Sequence, residues 1–114
     1  MIIGSNLIYR EKVSSTNEVA GSLLAGGPVP EGTVIHAGEQ TDGRGQRGRS
    51  WLSEAGKNLT LSTILYPYFL TASQQFMISE IVSLSITRLL DAYTDSISIK
   101  WPNDIYRNDD KIAG

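Results

Sequence analysis

The chain has no cysteine, so disulfides and thiolate metal sites are excluded. It has one histidine, His36, which sits in a strand-like run with no acidic partner at a useful spacing. No catalytic role is assigned to it, and neither a nucleophile triad nor a cluster of metal ligands can be assembled. It also has no marked excess of charge: ten basic and twelve acidic side chains give a formal charge of −2. A balance of this kind argues against binding nucleic acid over a whole face, which shows as a strongly basic domain. No apolar run reaches membrane-spanning length, and the start Met1-Ile2-Ile3-Gly4-Ser5 lacks the basic segment of a signal peptide. A cytoplasmic protein with no membrane partner is expected, and the sequon Asn58-Leu59-Thr60 is read as chance. A chain of 114 residues is one domain or part of one, long enough to bury about 65% of its unfolded surface.

What the chain does have is Gly43-Arg44-Gly45-Gln46-Arg47-Gly48-Arg49-Ser50-Trp51, with three glycines and three arginines in nine residues. Glycine lets the backbone approach a ligand, and arginine neutralises phosphate or carboxylate. The stretch is therefore a candidate anion clamp. Its spacing also satisfies G-x-G-x-x-G, but a dinucleotide site needs a helix opening at the last glycine and an acid about 20 residues on. Turn residues follow instead, and no Asp or Glu lies between Glu54 and Glu80. The dinucleotide reading is rejected.

The flanking pattern predicts alternating strands and helices. A strand runs from Leu7 to Val13. Ser15-Thr16-Asn17-Glu18 forms a capping box that opens a helix to about Leu24, stopped by Gly26-Gly27-Pro28. After a turn at Pro30-Glu31-Gly32, a strand over residues 33–39 leads to the glycine loop. Residues 59–66 form a strand with one half-buried face, ended by Pro67. A second box, Thr71-Ala72-Ser73-Gln74, opens a helix to about Tyr93. Its polar positions Glu80, Ser83, Thr87 and Asp91 form a narrow stripe, so its apolar girth is expected to be buried between other elements. Residues 97–101 form a strand, with Trp101 expected in the core. Pro102-Asn103-Asp104 interrupts it, Ile105-Tyr106-Arg107 resumes, and Asn108-Asp109-Asp110 turns into a last strand at Lys111-Ile112-Ala113-Gly114. An unpaired terminal strand is a liability. This predicts that the chain is the first part of a larger, truncated fold, or that it pairs with another copy as a homo-oligomer.

Three motifs, taken with Ser15-Thr16-Asn17, resemble biotin–protein ligases in content, order and spacing. They are the stretch from Asp42 to Trp51, then Lys100-Trp101-Pro102-Asn103-Asp104, then Lys111-Ile112-Ala113-Gly114. The resemblance covers the whole chain but only the N-terminal part of the family's catalytic domain. It implies an α+β fold, a mixed β-sheet with helices packed on one side, like class II aminoacyl-tRNA synthetases. It implies a biotin–[acetyl-CoA-carboxylase] ligase without a DNA-binding domain, since residues before Ser15 leave no room for one. ATP, Mg2+ and biotin would be used to make biotinyl-5′-adenylate, and the acyl group would pass to a lysine of a carboxylase's biotin carboxyl carrier domain.

The resemblance also implies site roles. Ser15, Thr16, Asn17 and Gln40 would contact the ureido ring of biotin. Gly43, Arg44, Gly45, Gln46 and Trp51 would belong to the loop over the bound acyl group. Lys111 would meet the carboxylate and later the acyl phosphate, with Arg44 and Lys100 as further catalytic candidates. Asn103 and Asp104 would lie near the nucleotide and its metal, with no metal ligand firmly assigned. Many family members carry arginine where this chain has Gln46, so looser retention of the adenylate is expected. Read without the family, Ser15-Thr16-Asn17 is an ordinary helix cap, and a cap can also face a ligand. Lys111 beside the aspartates could be a hairpin salt bridge. The rival functions are a lipoate–protein ligase and a non-catalytic biotin-binding fragment.

Overall fold

Leu7–Val13 forms β1, Thr16–Ala25 forms α1 and Val34–Gln40 forms β2, and the two strands lie parallel, Leu7 opposite Val34 and Val13 opposite Gln40. Parallel neighbours cannot be joined by a tight turn, so the helix must cross the sheet face between them. The computed structural model describes residues 2–45 and 48–114. It comprises two units, Met1–Tyr66 and Pro67–Gly114.

In the first unit, α1 lays Ala20 against Ile35 of β2 and Ile64, with Val19, Leu23, Val29 and Tyr66 around them. Ile35 is wholly buried, which favours folding by about 2–3 kcal/mol. A further strand, Thr60–Thr63, joins the other edge of β2 antiparallel, giving a mixed sheet. Before it, Gly43–Arg44 (β3) and Ser50–Trp51 (β4) pair as a short hairpin, so the strand Thr60–Thr63 is β5. That strand is shorter than the 59–66 expected. Ile64 still donates to the Thr33 carbonyl, but the Tyr66 amide is taken by the Glu31 carboxylate at 2.8 Å, so a side chain replaces the ladder. Its faces are also the reverse of a simple apolar-in pattern. Ser62, opposite Ile35, turns toward α1, while Leu61 is 43% exposed.

In the second unit, the Thr71 box forms as predicted, with the Thr71 amide donating to Gln74 Oε1 at 3.0 Å. It first makes a 3-10 turn, Ala72–Gln74, and α2 follows at Phe76–Asp91. The strands Ile97–Lys100 (β6), Asp104–Arg107 (β7) and Asp110–Ala113 (β8) form an antiparallel sheet with β7 central. Here α2 corrects the expectation from its pattern. Ser83, a member of the polar stripe, is its buried residue and donates to the Pro102 carbonyl, whereas Ile81, Leu84 and Leu89 are more than half exposed. A small side chain at the contact lets the helix approach the turn after β6: Ser83 and Thr87 share the inward face with Ile78, Ile86 and Leu90, while Glu80 and Asp91 stay exposed. Trp101 is corrected too. It is 73% exposed: it follows the last residue of β6, and its ring stands against that of Phe76, centroids 5.0 Å apart, at the start of α2.

Candidate functional site

A helix that starts at the carboxyl end of one parallel strand and lies beside the end of the next creates a polar crevice there. In this chain that place collects Ser15, Thr16, Asn17 and Gln40. Ser15 caps α1 by accepting from the Glu18 amide at 3.2 Å. The Thr16 amide, another donor that a helix start leaves without an intrahelical partner, is taken by Gln40 Oε1 at 3.0 Å. Gln40 is the last residue of β2, so the strand end itself completes the helix cap.

The hydroxyls beyond them form a directional chain. Ser62 Oγ donates to Asn17 Oδ1 at 2.5 Å, which uses its only proton. The 2.8 Å contact between Thr16 Oγ1 and Ser62 Oγ is therefore donated by Thr16. The lone pairs of Thr16 Oγ1 and Asn17 Oδ1 are thus the groups that can accept from a ligand's N–H. Thr16 is only 3% exposed, so its position is firmly set.

The glycine-arginine hairpin is joined to this crevice at two points. Gly43 is buried against Gln40: a Cβ built there would lie 2.6 Å from Gln40 Nε2 and overlap the Trp51 carbonyl. Across the hairpin, Trp51 is half-buried and Gly45 donates to the Arg49 carbonyl. Arg44 supplies the other join. Its Nη2 donates to Glu18 Oε1 at 3.1 Å and to Asp42 Oδ2 at 3.2 Å. The predicted box at Ser15 is therefore half made, because the Glu18 carboxylate turns to Arg44 and to the Ser14 hydroxyl rather than back along the helix. With a side chain 63% exposed, Arg44 gains about 0.2–1 kcal/mol from each of these pairs. Gln46 lies outside the described residues.

The remaining candidates belong to the second unit. Lys100 is opposite Asp104 across β6 and β7, and Tyr106 is opposite Lys111 across β7 and β8. Alternation places these four on the face away from Ile105, which is buried. Lys111 Nζ pairs with Asp104 Oδ1 at 2.9 Å, both about a third exposed, a partner across the sheet. Lys100 Nζ stands 6.0 Å above the Tyr106 ring, at the outer reach of a cation–π contact. Two lysines around one aspartate leave a local positive charge, and Asn103 precedes that aspartate in the turn.

Sequence reasoning had not singled out Ser62, Ser14 or Asp42, nor Glu18 as an arginine partner. Ser62 carried a signal: the hydroxyl residues of its strand share a face, and that face looks at the helix start. An open groove of about 420 Å³ lies elsewhere, lined by Tyr9, His36, Gly38, Lys57 and Asn58 among others. Tyr9 and His36 meet there edge to face, with centroids 5.4 Å apart. Among the described residues there is no group of three His, Cys, Asp or Glu that could hold a metal ion.

Comparison with known proteins gives concordant results. The model of the biotin/lipoate A/B protein ligase family matches residues 9–114. The bifunctional ligase/repressor BirA of Bacillus subtilis (strain 168) is 37% identical over 114 residues, covering 99% of this chain and 34% of that protein. The biotin–protein ligase of Homo sapiens is 30% identical over 118 residues, covering 98% of this chain and 16% of that protein. Among solved structures, the biotin protein ligase from Aquifex aeolicus in complex with biotin and ATP superposes with a TM-score of 0.78 at 36% identity, over 95% of this chain and 44% of that one. The Leishmania major biotin protein ligase in complex with biotinyl-5-AMP gives 0.67 at 30% identity, over 95% and 49%. The expected mixed sheet with helices is therefore the fold observed, and the chain spans less than half the length of each of these relatives.

Proposed function

Because the chain belongs to the biotin/lipoate A/B protein ligase family, we propose that it is the N-terminal part of a biotin–protein ligase catalytic domain. Its function is ATP-dependent activation of biotin to biotinyl-5′-adenylate and transfer of the acyl group to a lysine of a carboxylase's carrier domain. The observation that carries the reading is the junction of the α1 start with the end of β2: the Thr16 amide on Gln40 Oε1 at 3.0 Å, beside Ser15, Asn17 and Ser62. A ureido ring has two N–H donors and one strong carbonyl acceptor. The acceptor lone pairs on Thr16 and Asn17 suit its donors, and the helix-start amides suit its carbonyl.

The chemistry then assigns the charged residues. In the first step a carboxylate oxygen attacks the α-phosphorus of ATP and pyrophosphate leaves. Two anionic groups must meet, so fixed positive charge lowers the barrier. Arg44 and Lys111 would supply it to the carboxylate and then to the acyl phosphate, with Lys100 adding to the field. In the second step the acceptor amine attacks the acyl carbon, AMP leaves and the nitrogen loses a proton. The loop carrying Gly43, Gly45, Gln46 and Trp51 would keep water from the mixed anhydride. Asn103 and Asp104 would lie near the nucleotide and its Mg2+, which screens phosphate charge when bound; the Asp104 carboxylate is already paired with Lys111 at 2.9 Å, and no ligand to the ion is assigned.

No helix among the described residues is long and apolar enough to cross a membrane. The test is calorimetric titration with biotin and, separately, with lipoate, after a cooperative melt has been recorded. Tighter binding of biotin than of lipoate is expected. A folded protein that binds lipoate in preference, or neither, refutes the assignment.

A further inference from the structure

Both carboxylates that reach Arg44 converge on one nitrogen. Nη2 has two hydrogens, and Glu18 Oε1 and Asp42 Oδ2 take them at 3.1 and 3.2 Å. A guanidinium grips a carboxylate bidentately through one of two forks, Nε with Nη2 or Nη1 with Nη2. Nη2 belongs to both. With that atom occupied, neither fork is open, and an incoming anion must displace at least one internal carboxylate. The local charge acts in the same sense, since two carboxylates around one guanidinium leave a net −1 toward which an anion is not drawn.

Ser14 holds the arrangement. Its hydroxyl donates to Glu18 Oε2, leaving Oε1 for the arginine, and its carbonyl accepts from the Asp42 amide at 2.7 Å. Both carboxylates are thus referenced to one residue at the end of β1. Glu18 would also remain stable once the arginine leaves, because it lies in the first turn of α1, where the helix dipole favours negative charge.

We propose that Glu18 and Asp42 are internal competitors for the anionic group of the ligand. They hold Arg44 in the ligand-free protein and yield it when a carboxylate or acyl phosphate arrives. They are positioning residues acting through Arg44, and they set how strong an anion must be to claim it. The inference rests on the proposed biotin reading, with the valeryl carboxylate as the competing anion.

The test compares Glu18→Gln, Asp42→Asn and the double variant with Glu54→Gln. The control makes the same single charge change but at an ion pair with Lys57. Each is titrated with biotin and with biotinamide, which keeps the ring and lacks the charge. An exposed pair of this kind shifts an equilibrium by up to about fivefold, so biotin should bind the double variant about three- to tenfold more tightly. Biotinamide affinity and the Glu54→Gln variant should not change. Weaker biotin binding, or parallel shifts for both ligands, would mean that the carboxylates support the loop rather than compete, and would overturn the proposal. Ser14→Ala should tighten biotin in the same direction by a smaller factor. A second readout is independent of biotin: trypsin cleavage of the Arg44–Gly45 bond, followed by mass relative to cleavage after Arg107. The double variant should be cut several-fold faster. If wild type does not bind biotin, the ligand assignment fails, while this rate still decides whether the carboxylates hold Arg44. An unchanged rate overturns the proposal.

Discussion

Replacing Gly43 by alanine tests whether the glycine-arginine hairpin and the helix start are one mechanical unit. The residue needs no left-handed backbone, so the cost is one of space alone. The new methyl would lie 2.6 Å from Gln40 Nε2, 3.3 Å from Trp51 Cβ and closer still to the Trp51 carbonyl. The carbonyl belongs to the pairing partner and cannot yield without opening β3 and β4. The Gln40 amide can yield, but its oxygen holds the Thr16 amide. Overpacking of this kind costs about 1–3 kcal/mol. Losing the Gln40–Thr16 bond adds about 1 kcal/mol. A total of about 2–4 kcal/mol is expected, read as a fall in the urea midpoint at constant m-value, together with weaker biotin binding. Gly45→Ala is the control within the same loop. Its methyl would meet the Arg49 carbonyl and Cβ at 3.4 and 3.5 Å, ordinary contact, so it should change stability by less than about 0.5 kcal/mol. Equal losses from the two variants, or a Gly43→Ala protein with wild-type stability and affinity, would refute the reasoning.

Ser15→Ala removes the α1 cap and should cost about 1 kcal/mol in thermal or urea unfolding. Gln40→Ala leaves the Thr16 amide without its acceptor and should cost about 1–3 kcal/mol, with biotin affinity falling as well. Arg44→Ala and Lys111→Ala should each slow adenylate formation by about 10²-fold or more in a pyrophosphate-release assay, while Arg88→Ala should leave it within about twofold. Similar losses from all three would mean that charge matters and position does not. Gln46→Arg should slow the dissociation of biotinyl-adenylate in a chase experiment, and equal off-rates would remove any significance from this departure from the family pattern.

The local signals in the sequence served where the backbone decides and failed where a neighbour does. The Thr71 box and the strand positions from Leu7 to Val13 follow from residue type and period, and both formed. The Ser15 box formed only on the serine side, because Glu18 found a guanidinium that lies 26 positions away in sequence. Nothing local indicates that choice. Ser62 was legible only as a strand residue. Its place in the site depends on the antiparallel register that sets it opposite Ile35, beneath the start of α1. Trp101 was misread because size and apolarity argue for burial only if something covers the residue, and past the end of β6 it stays 73% exposed beside Phe76. The apolar girth of α2 was misread for a related reason. A helix packs by the residues that let it approach, and Ser83 allowed a closer approach than its leucines.

The internal satisfaction of the site bears on how it could distinguish biotin from lipoate. A pocket that leaves donors and acceptors bare rejects an apolar ring strongly, because the ring would bury them unpaired. Here the Thr16 amide already has Gln40, and Thr16, Ser62 and Asn17 already bond one another. A dithiolane ring beside this network would orphan none of these bonds. Biotin would therefore gain over lipoate only what its ureido group adds as new or exchanged hydrogen bonds, about 0.5–1.5 kcal/mol each. Breaking the network should then sharpen discrimination in relative terms while weakening both ligands. In Ser62→Ala, Asn17 Oδ1 loses a donor that a ligand N–H can replace, while the Thr16 hydroxyl keeps Gln40 Oε1, 3.4 Å away, as an acceptor. The ratio of lipoate to biotin dissociation constants should rise by about two- to tenfold in that variant. A ratio that falls would mean that Ser62 contacts the ligand directly, and that the network is not self-contained.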